Sequence, residues 1–246
     1  MRNIYLVFIL SSIAVLSLSL KENNRDDVCL STSGERKSAG PPSCYAGEPP
    51  NYTTCNASGC HEDFALNSGT ALLQLDLGNA NNGYEPNQTY TVTISLSRNG
   101  MVRGGFELVV LQDDNITTTP GAIILTDAVR TQLVNAANPH SGGCPTQNKT
   151  WIEHTANGID NIENNTISWQ FNWQTPATDI GNVTFYLAAV DANKDLDCTG
   201  DYVYRLNKTI SPLSTSVHEL SNGNEISFYP NPVSDILSGT INNSFQ

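Results

Sequence analysis

Residues 89–97 read Thr-Tyr-Thr-Val-Thr-Ile-Ser-Leu-Ser, which puts Tyr90, Val92, Ile94 and Leu96 on one side and hydroxyl side chains on the other. A period of two marks a strand with one face in a core and one in water, because successive side chains of extended backbone point to opposite faces. The same period recurs at 71–77 with Leu73, Leu75 and Leu77, at 166–173 with Ile167, Trp169, Phe171 and Trp173, and at 182–191 with Val183, Phe185, Leu187 and Ala189. Four such segments already call for a sheet with one buried face.

Weaker strand candidates lie at 106–111, 122–126, 151–154 and 202–210, bounded by Gly, Pro and Asn-rich turns. Residues 127–137 alone carry a helix-like spacing, with Val129, Leu133 and Val134 three and four apart. Strands joined by turns, without alternating helices, argue for an all-β, immunoglobulin-like antiparallel sandwich rather than a parallel α/β sheet.

Arg2 followed by the apolar stretch at 4–20, relieved by serines, and then by the polar segment 21–27 reads as a signal peptide ending near Leu20. The expected mature chain is thus extracellular or at the outer cell surface, with no membrane insertion after cleavage. The roughly 225 residues that follow suffice for one large β domain and a tail. A net charge of -12 with only 12 scattered basic residues argues against nucleic acid and anionic membrane surfaces as partners, because counterion release needs clustered Lys and Arg. Asn-x-Ser/Thr triplets at Asn51, Asn56, Asn87, Asn115, Asn148, Asn164, Asn182, Asn207 and Asn242 are those expected by chance in a chain this rich in Asn and Thr.

Several short blocks in fixed order resemble the Reeler-like domain, in the choice-of-anchor version found in secreted Bacteroidota proteins. They are Cys-His-x-x-x-x-Leu-Asn-Ser-Gly at 60–69, Tyr-Glu-Pro-Asn-Gln-Thr-Tyr at 84–90, Gly105-Phe106, His154-Thr155, Trp-Gln-Phe-Asn-Trp at 169–173 with Pro176, and Val-Thr-Phe-Tyr at 183–186. The resemblance covers roughly residues 40–210. It implies an extracellular immunoglobulin-like sandwich and no catalytic activity. Asn87 stands where that family usually has a turn glycine, and Asn tolerates positive φ. At the other end, Phe-Tyr-Pro-Asn-Pro-Val-Ser-Asp-Ile-Leu at 228–237 resembles the opening of a type A sorting domain of the type IX secretion system, with Tyr229, Pro230, Asn231 and Pro232 as the recognisable part. That resemblance implies the type IX secretion machinery as a partner. Such domains continue for several more strands, so the tail reads as a partial one.

Chemistry, if present, centres on residues 54–61, Thr-Cys-Asn-Ala-Ser-Gly-Cys-His. Two thiols followed by an adjacent imidazole are arranged as in haem c attachment, where the thiols add to vinyl groups and the His ligates iron. Four residues separate Cys55 from Cys60 where the common motif has two; relatives in the resembled family often carry the tighter form. A sixth ligand would come from His154, His140 or Met101, and the resemblance favours His154. The alternatives are a local Cys55–Cys60 disulfide with no cofactor, or a non-haem metal held by His61 and His154 with Glu62 or Asp63. Six cysteines in an exported chain allow full pairing, and the expected set is Cys29 with Cys44, Cys55 with Cys60, and Cys144 with Cys198.

Other sites are weaker. Asp191, Asn193, Asp195 and Asp197 alternate as calcium ligands do, but without the Gly and bidentate Glu of a calcium loop, and read as a solvated acidic hairpin. No Gly-x-Ser-x-Gly elbow or His-Glu-x-x-His motif occurs. The organisation expected is a leader at 1–20, a Cys-rich segment at 21–62, the sandwich at 63–212, a linker at 213–225 and the partial sorting domain at 226–246. Two functions stand: a non-catalytic adhesion or interaction module with an unidentified extracellular ligand, and an envelope c-type haem or metal protein using Cys55, Cys60, His61 and His154.

Overall fold

A computed structural model describes residues 37–57, 60–139, 143–144, 148–195, 197–213, 226–229 and 238–241. The leader, Cys29, His140 and Pro230 to Pro232 lie outside the described residues. Extended backbone forms β1 (Leu72–Asp76), β2 (Thr89–Ser97), β3 (Arg103–Gln112), β4 (Ala122–Leu125), β5 (Thr131–Val134), β6 (Trp151–His154), β7 (Ile162–Glu163), β8 (Thr166–Gln174), β9 (Val183–Ala192), β10 (Tyr202–Ile210), β11 (Ile226–Tyr229) and β12 (Ser238–Ile241). All four alternating segments and all four weaker candidates are strands. Among the described residues no helix is long and apolar enough to cross a membrane.

The strands make a two-layer all-β sandwich in which every strand pairing is antiparallel. One sheet runs β1-β2-β8-β4 with β7 on β8, and the other runs β10-β9-β3-β6-β5. The inward sides of β2 and β8 meet those of β3 and β9 in a single core containing Val92, Ile94, Leu96, Phe106, Leu108, Trp169, Phe171, Trp173, Phe185 and Leu187. Each such side chain fully removed from water contributes about 1.5–3 kcal/mol. The buried indoles keep hydrogen bonds, Trp169 to the Gly158 carbonyl (2.8 Å) and Trp173 to the Pro120 carbonyl (3.1 Å), as buried tryptophans require. Asn87 takes φ +57° in the turn before β2, the conformation its residue type tolerates.

The central strands β3, β6 and β9 of the second sheet are buried on both faces, which the alternation did not foretell. β3 is buried from Gly104 through Leu111. Its outward residues Val109 and Leu111 pack with Ala46, Val134 and Trp151, and Val190 of β9 packs with Val203 and Cys55. The covering layer is the N-terminal segment around 38–57, folded back on itself through the Ala46–Thr54 bridge and the Gly47 N–H to Thr53 carbonyl bond (2.8 Å). This Cys-rich segment is therefore a third layer over the second sheet.

Two expectations are corrected. Residues 127–137 are not helical: the Asp127 carboxylate accepts from the Val129 and Arg130 N–H groups (both 3.1 Å), closing a turn. The chain then pairs with β6 as β5. Val129, one of the three apolar residues of the helical spacing, is 65% exposed while Val134 is buried, so the three do not share one buried face. A short polar side chain that competes for backbone N–H groups, followed by β-branched Thr131, favours the turn and strand. The expected cysteine pairing also fails. Cys44 is bonded to Cys144, 100 residues away, so neither Cys29–Cys44 nor Cys144–Cys198 forms. The reason is the layering: Cys44 sits in the covering segment directly beside the loop carrying Cys144, where Cys144 N–H donates to the Ser43 carbonyl (3.3 Å). Cys198 is itself disulfide-bonded, and Cys55 and Cys60 are not joined to each other.

At the C-terminal end β11 pairs with β12, Tyr229 opposite Ser238. The Pro-Asn-Pro run falls between these strands.

Candidate functional site

A cavity of about 510 Å³ opens where the N-terminal segment meets the second sheet, and Cys55, Cys60, His61 and His154 all line it. Its walls include the apolar Phe106, Ile159 and Val190, and it lies within the size range of small-molecule and cofactor sites. Among the other residues named as possible ligands, Met101 is packed in the central core, and neither Glu62 nor Asp63 lines the cavity. Among the described residues no group of three or more His, Cys, Asp or Glu side chains is placed to hold a metal ion. The acidic hairpin is no calcium loop either: Asp191 is buried against Arg98, and the Asn193 side chain donates to Asp195 and to the Thr199 carbonyl, both at 2.9 Å.

The segment bearing the thiols is a closed turn. Ala57 N–H donates to the Thr54 carbonyl, Cys60 N–H to the Ala57 carbonyl and His61 N–H to the Cys55 carbonyl, all at 2.9 Å. Asn56 reinforces it, its side-chain amide donating to the His61 and Phe64 carbonyls at 2.8 Å. The His61 N–H bond to the Cys55 carbonyl returns the backbone of His61 beside Cys55. Burial pushes the Cys55 thiol well up from its ordinary value, and the nearby Glu107 carboxyl adds to the effect. A thiol held protonated is a poor thiolate ligand or nucleophile, whereas an uncharged thioether suits such a place.

His154 ends β6 and is 8% exposed. Its Nδ1 is within reach of the Phe106 N–H (2.9 Å) and the Phe106 carbonyl (3.1 Å) of the neighbouring strand. When Nδ1 carries the proton and donates to that carbonyl, the lone pair resides on Nε2. Gly105 makes room for this ring: a Cβ there would stand 2.7 Å from His154 Cε1. The His61 Nδ1 lies 2.7 Å from Oδ2 of Asp201, a carboxylate only 1% exposed. Asp201 lines the cavity too and was not singled out in the sequence, where it is one acidic residue among several. At the mouth Arg103 pairs with Asp160 through two bonds of 2.7 and 2.9 Å, and Lys194 reaches the same carboxylate at 3.0 Å. The Arg103 hydrogen bonds pull Asp160 down to about 2.

Compared with known protein families the chain matches none, and no curated protein matches it. Its structure is similar to reeler domains. The human F-spondin reeler domain (fragment 1) aligns with a TM-score of 0.40 and 19% identity over 57% of this chain and 88% of that one. The Reelin-N domain of F-spondin aligns with a TM-score of 0.39 and 20% identity over 61% and 93%. BslA, a bacterial hydrophobin, aligns with a TM-score of 0.28 and 16% identity over 60% and 98%.

Proposed function

We propose that this chain is an exported β-sandwich module that carries a c-type haem in the cavity between its N-terminal segment and second sheet. Cys55 and Cys60 would hold the group through thioethers, with His61 and His154 as its nitrogen donors. The observation that carries the reading is the convergence of these four side chains on one cavity with apolar walls, although His154 lies far from the others in sequence. The turn returning His61 to Cys55 supports it. Bound haem supplies one-electron transfer or binding of a small ligand. The protein's own part is to exclude water with Phe106, Ile159 and Val190, and to orient two imidazoles through Phe106 and Asp201.

Delivery to the outer cell surface belongs to the same proposal. It rests on the leader motif at 1–20 and on the Tyr229 to Pro232 motif, whose Tyr229 closes β11 of the terminal hairpin. The type IX machinery would be the partner in export.

The test is an optical spectrum and intact mass of protein exported from a host able to mature haem c. A sharp visible band on reduction, with one haem mass retained under denaturation, is the expected result. A colourless protein carrying no added mass overturns the haem reading and leaves an adhesion module whose cavity takes another apolar ligand.

A further inference from the structure

The structure assigns to Asp201 the role of positioning residue for His61. We infer that its carboxylate fixes the His61 tautomer, so that Nε2 is the ligating nitrogen, and makes that nitrogen a stronger donor. This rests on the haem reading above.

A carboxylate shut away from water is costly unless its oxygens are used. Both oxygens of Asp201 are used: Oδ1 accepts from the Asn193 N–H at 2.9 Å and Oδ2 faces His61 Nδ1 at 2.7 Å. Asn193 is in turn held by Asp195 and the Thr199 carbonyl. The acidic hairpin thus serves as a brace that aims one buried carboxylate at an imidazole 140 residues away. Asp195 and Asp197, the neighbouring acids of the hairpin, are exposed. A carboxylate has no proton to give when ionised, so the short contact requires the proton on Nδ1, and the Nε2 lone pair is left for a ligand. Donation of Nδ1–H to a carboxylate orients an axial imidazole and raises its basicity, which stabilises the oxidised metal. The His154 Nδ1 faces the Phe106 backbone, whereas the His61 Nδ1 faces a carboxylate.

The experiment pairs D201N with the wild type in a haem c maturing host and reads both the haem mass retained under denaturation and the midpoint potential. Asn keeps the shape and an acceptor oxygen but loses the charge. The expected result is haem retained in both proteins, with the D201N couple shifted toward the reduced form by about tenfold, ~59 mV for one electron. Retained haem with an unchanged potential overturns the role given to Asp201. Absence of haem from the wild type overturns the parent reading instead. The tautomer is then read in the haem-free wild type, with no variant needed, from the imidazole nitrogen shifts of His61: a proton on Nδ1 sustains the inference, and a proton on Nε2 overturns it.

Discussion

Glu107 on β3 and Glu153 on β6 stand directly opposite each other in the antiparallel ladder, both fully closed off from solvent by the N-terminal segment. Glu107 accepts from the Tyr45 N–H at 2.6 Å and Glu153 from the Gln132 side chain at 2.9 Å. Glu48, from the covering segment itself, accepts from the Trp151 indole at 2.8 Å. The Glu107–Tyr45 and Glu48–Trp151 bonds tie the third layer to the sheet, while the Glu153–Gln132 bond lies within the sheet itself. Glu48 Oε2 and Glu107 Oε1 have no hydrogen-bond partner among the described residues.

Burial raises Glu107 well above the usual carboxyl range, with the carboxyls of Glu48 and Glu153 adding to it, and burial likewise raises Glu48. The folded protein then keeps protons that the unfolded chain releases near pH ~4.3. Stability is therefore fully present below that value and declines as pH rises through the folded values. Glu107→Gln keeps an acceptor for the Tyr45 N–H and removes the ionisation. It is expected to be more stable than wild type by roughly 1–3 kcal/mol at pH 8, the scale of an unsatisfied buried group, and no more stable at pH 4. Thermal melts across that range decide it; equal wild-type and variant slopes would refute the assignment.

The Cys44–Cys144 bond closes a segment of 100 residues and fastens the covering layer. Its removal in a Cys44→Ser, Cys144→Ser double variant is expected to cost about 2–5 kcal/mol, read by denaturant unfolding. Loss of much less would mean that packing of Ala46 and Trp151 alone holds the layer.

Gly105→Ala is expected to displace the His154 ring, since the added methyl would sit 3.0 Å from Nδ1 as well as 2.7 Å from Cε1. Overpacking of this kind costs about 1–3 kcal/mol. The more telling readout is the visible spectrum of the haem-loaded protein, which changes if His154 is an axial donor and stays as in wild type if it is not.

The Arg103 hydrogen bonds hold Asp160 at about 2. A lowered carboxyl contributes stability above its unfolded value near pH ~3.9 and loses it as pH falls toward 2. The Asp160 side chain is 40% exposed, so solvent screening limits the pair to about 0–1 kcal/mol. Asp160→Asn is expected to lower the melting temperature slightly at pH 6 and not at all at pH 2. A deficit persisting at pH 2 would show that the loss is one of packing.

The cofactor candidates could be read from local spacing because two thiols and an imidazole within residues 55–61 are a chemical pattern in themselves. Asp201 could not, since nothing in its local sequence distinguishes a buried carboxylate such as Asp191 or Asp201 from the exposed Asp195 and Asp197. Residues 127–137 misled for a related reason. Three apolar residues match a helical spacing as easily as a turn and strand, and the choice was made by Asp127 closing a turn and by the unpaired edge of β6.

By itself the sequence determined the four alternating strands β1, β2, β8 and β9 and which of their side chains face inward. Alternation with a period of two encodes which side chains leave water, and Thr89–Ser97 or Thr166–Gln174 needs no partner to declare it. Only the tertiary structure decided that β3 and β9 are buried on their outer faces too, that Cys44 meets Cys144, and that His61, His154 and Asp201 share one cavity. Those facts depend on how a terminal segment folds back over a finished sheet. Contacts between residues so far apart follow from layer order and strand register, which no local pattern of side chains specifies.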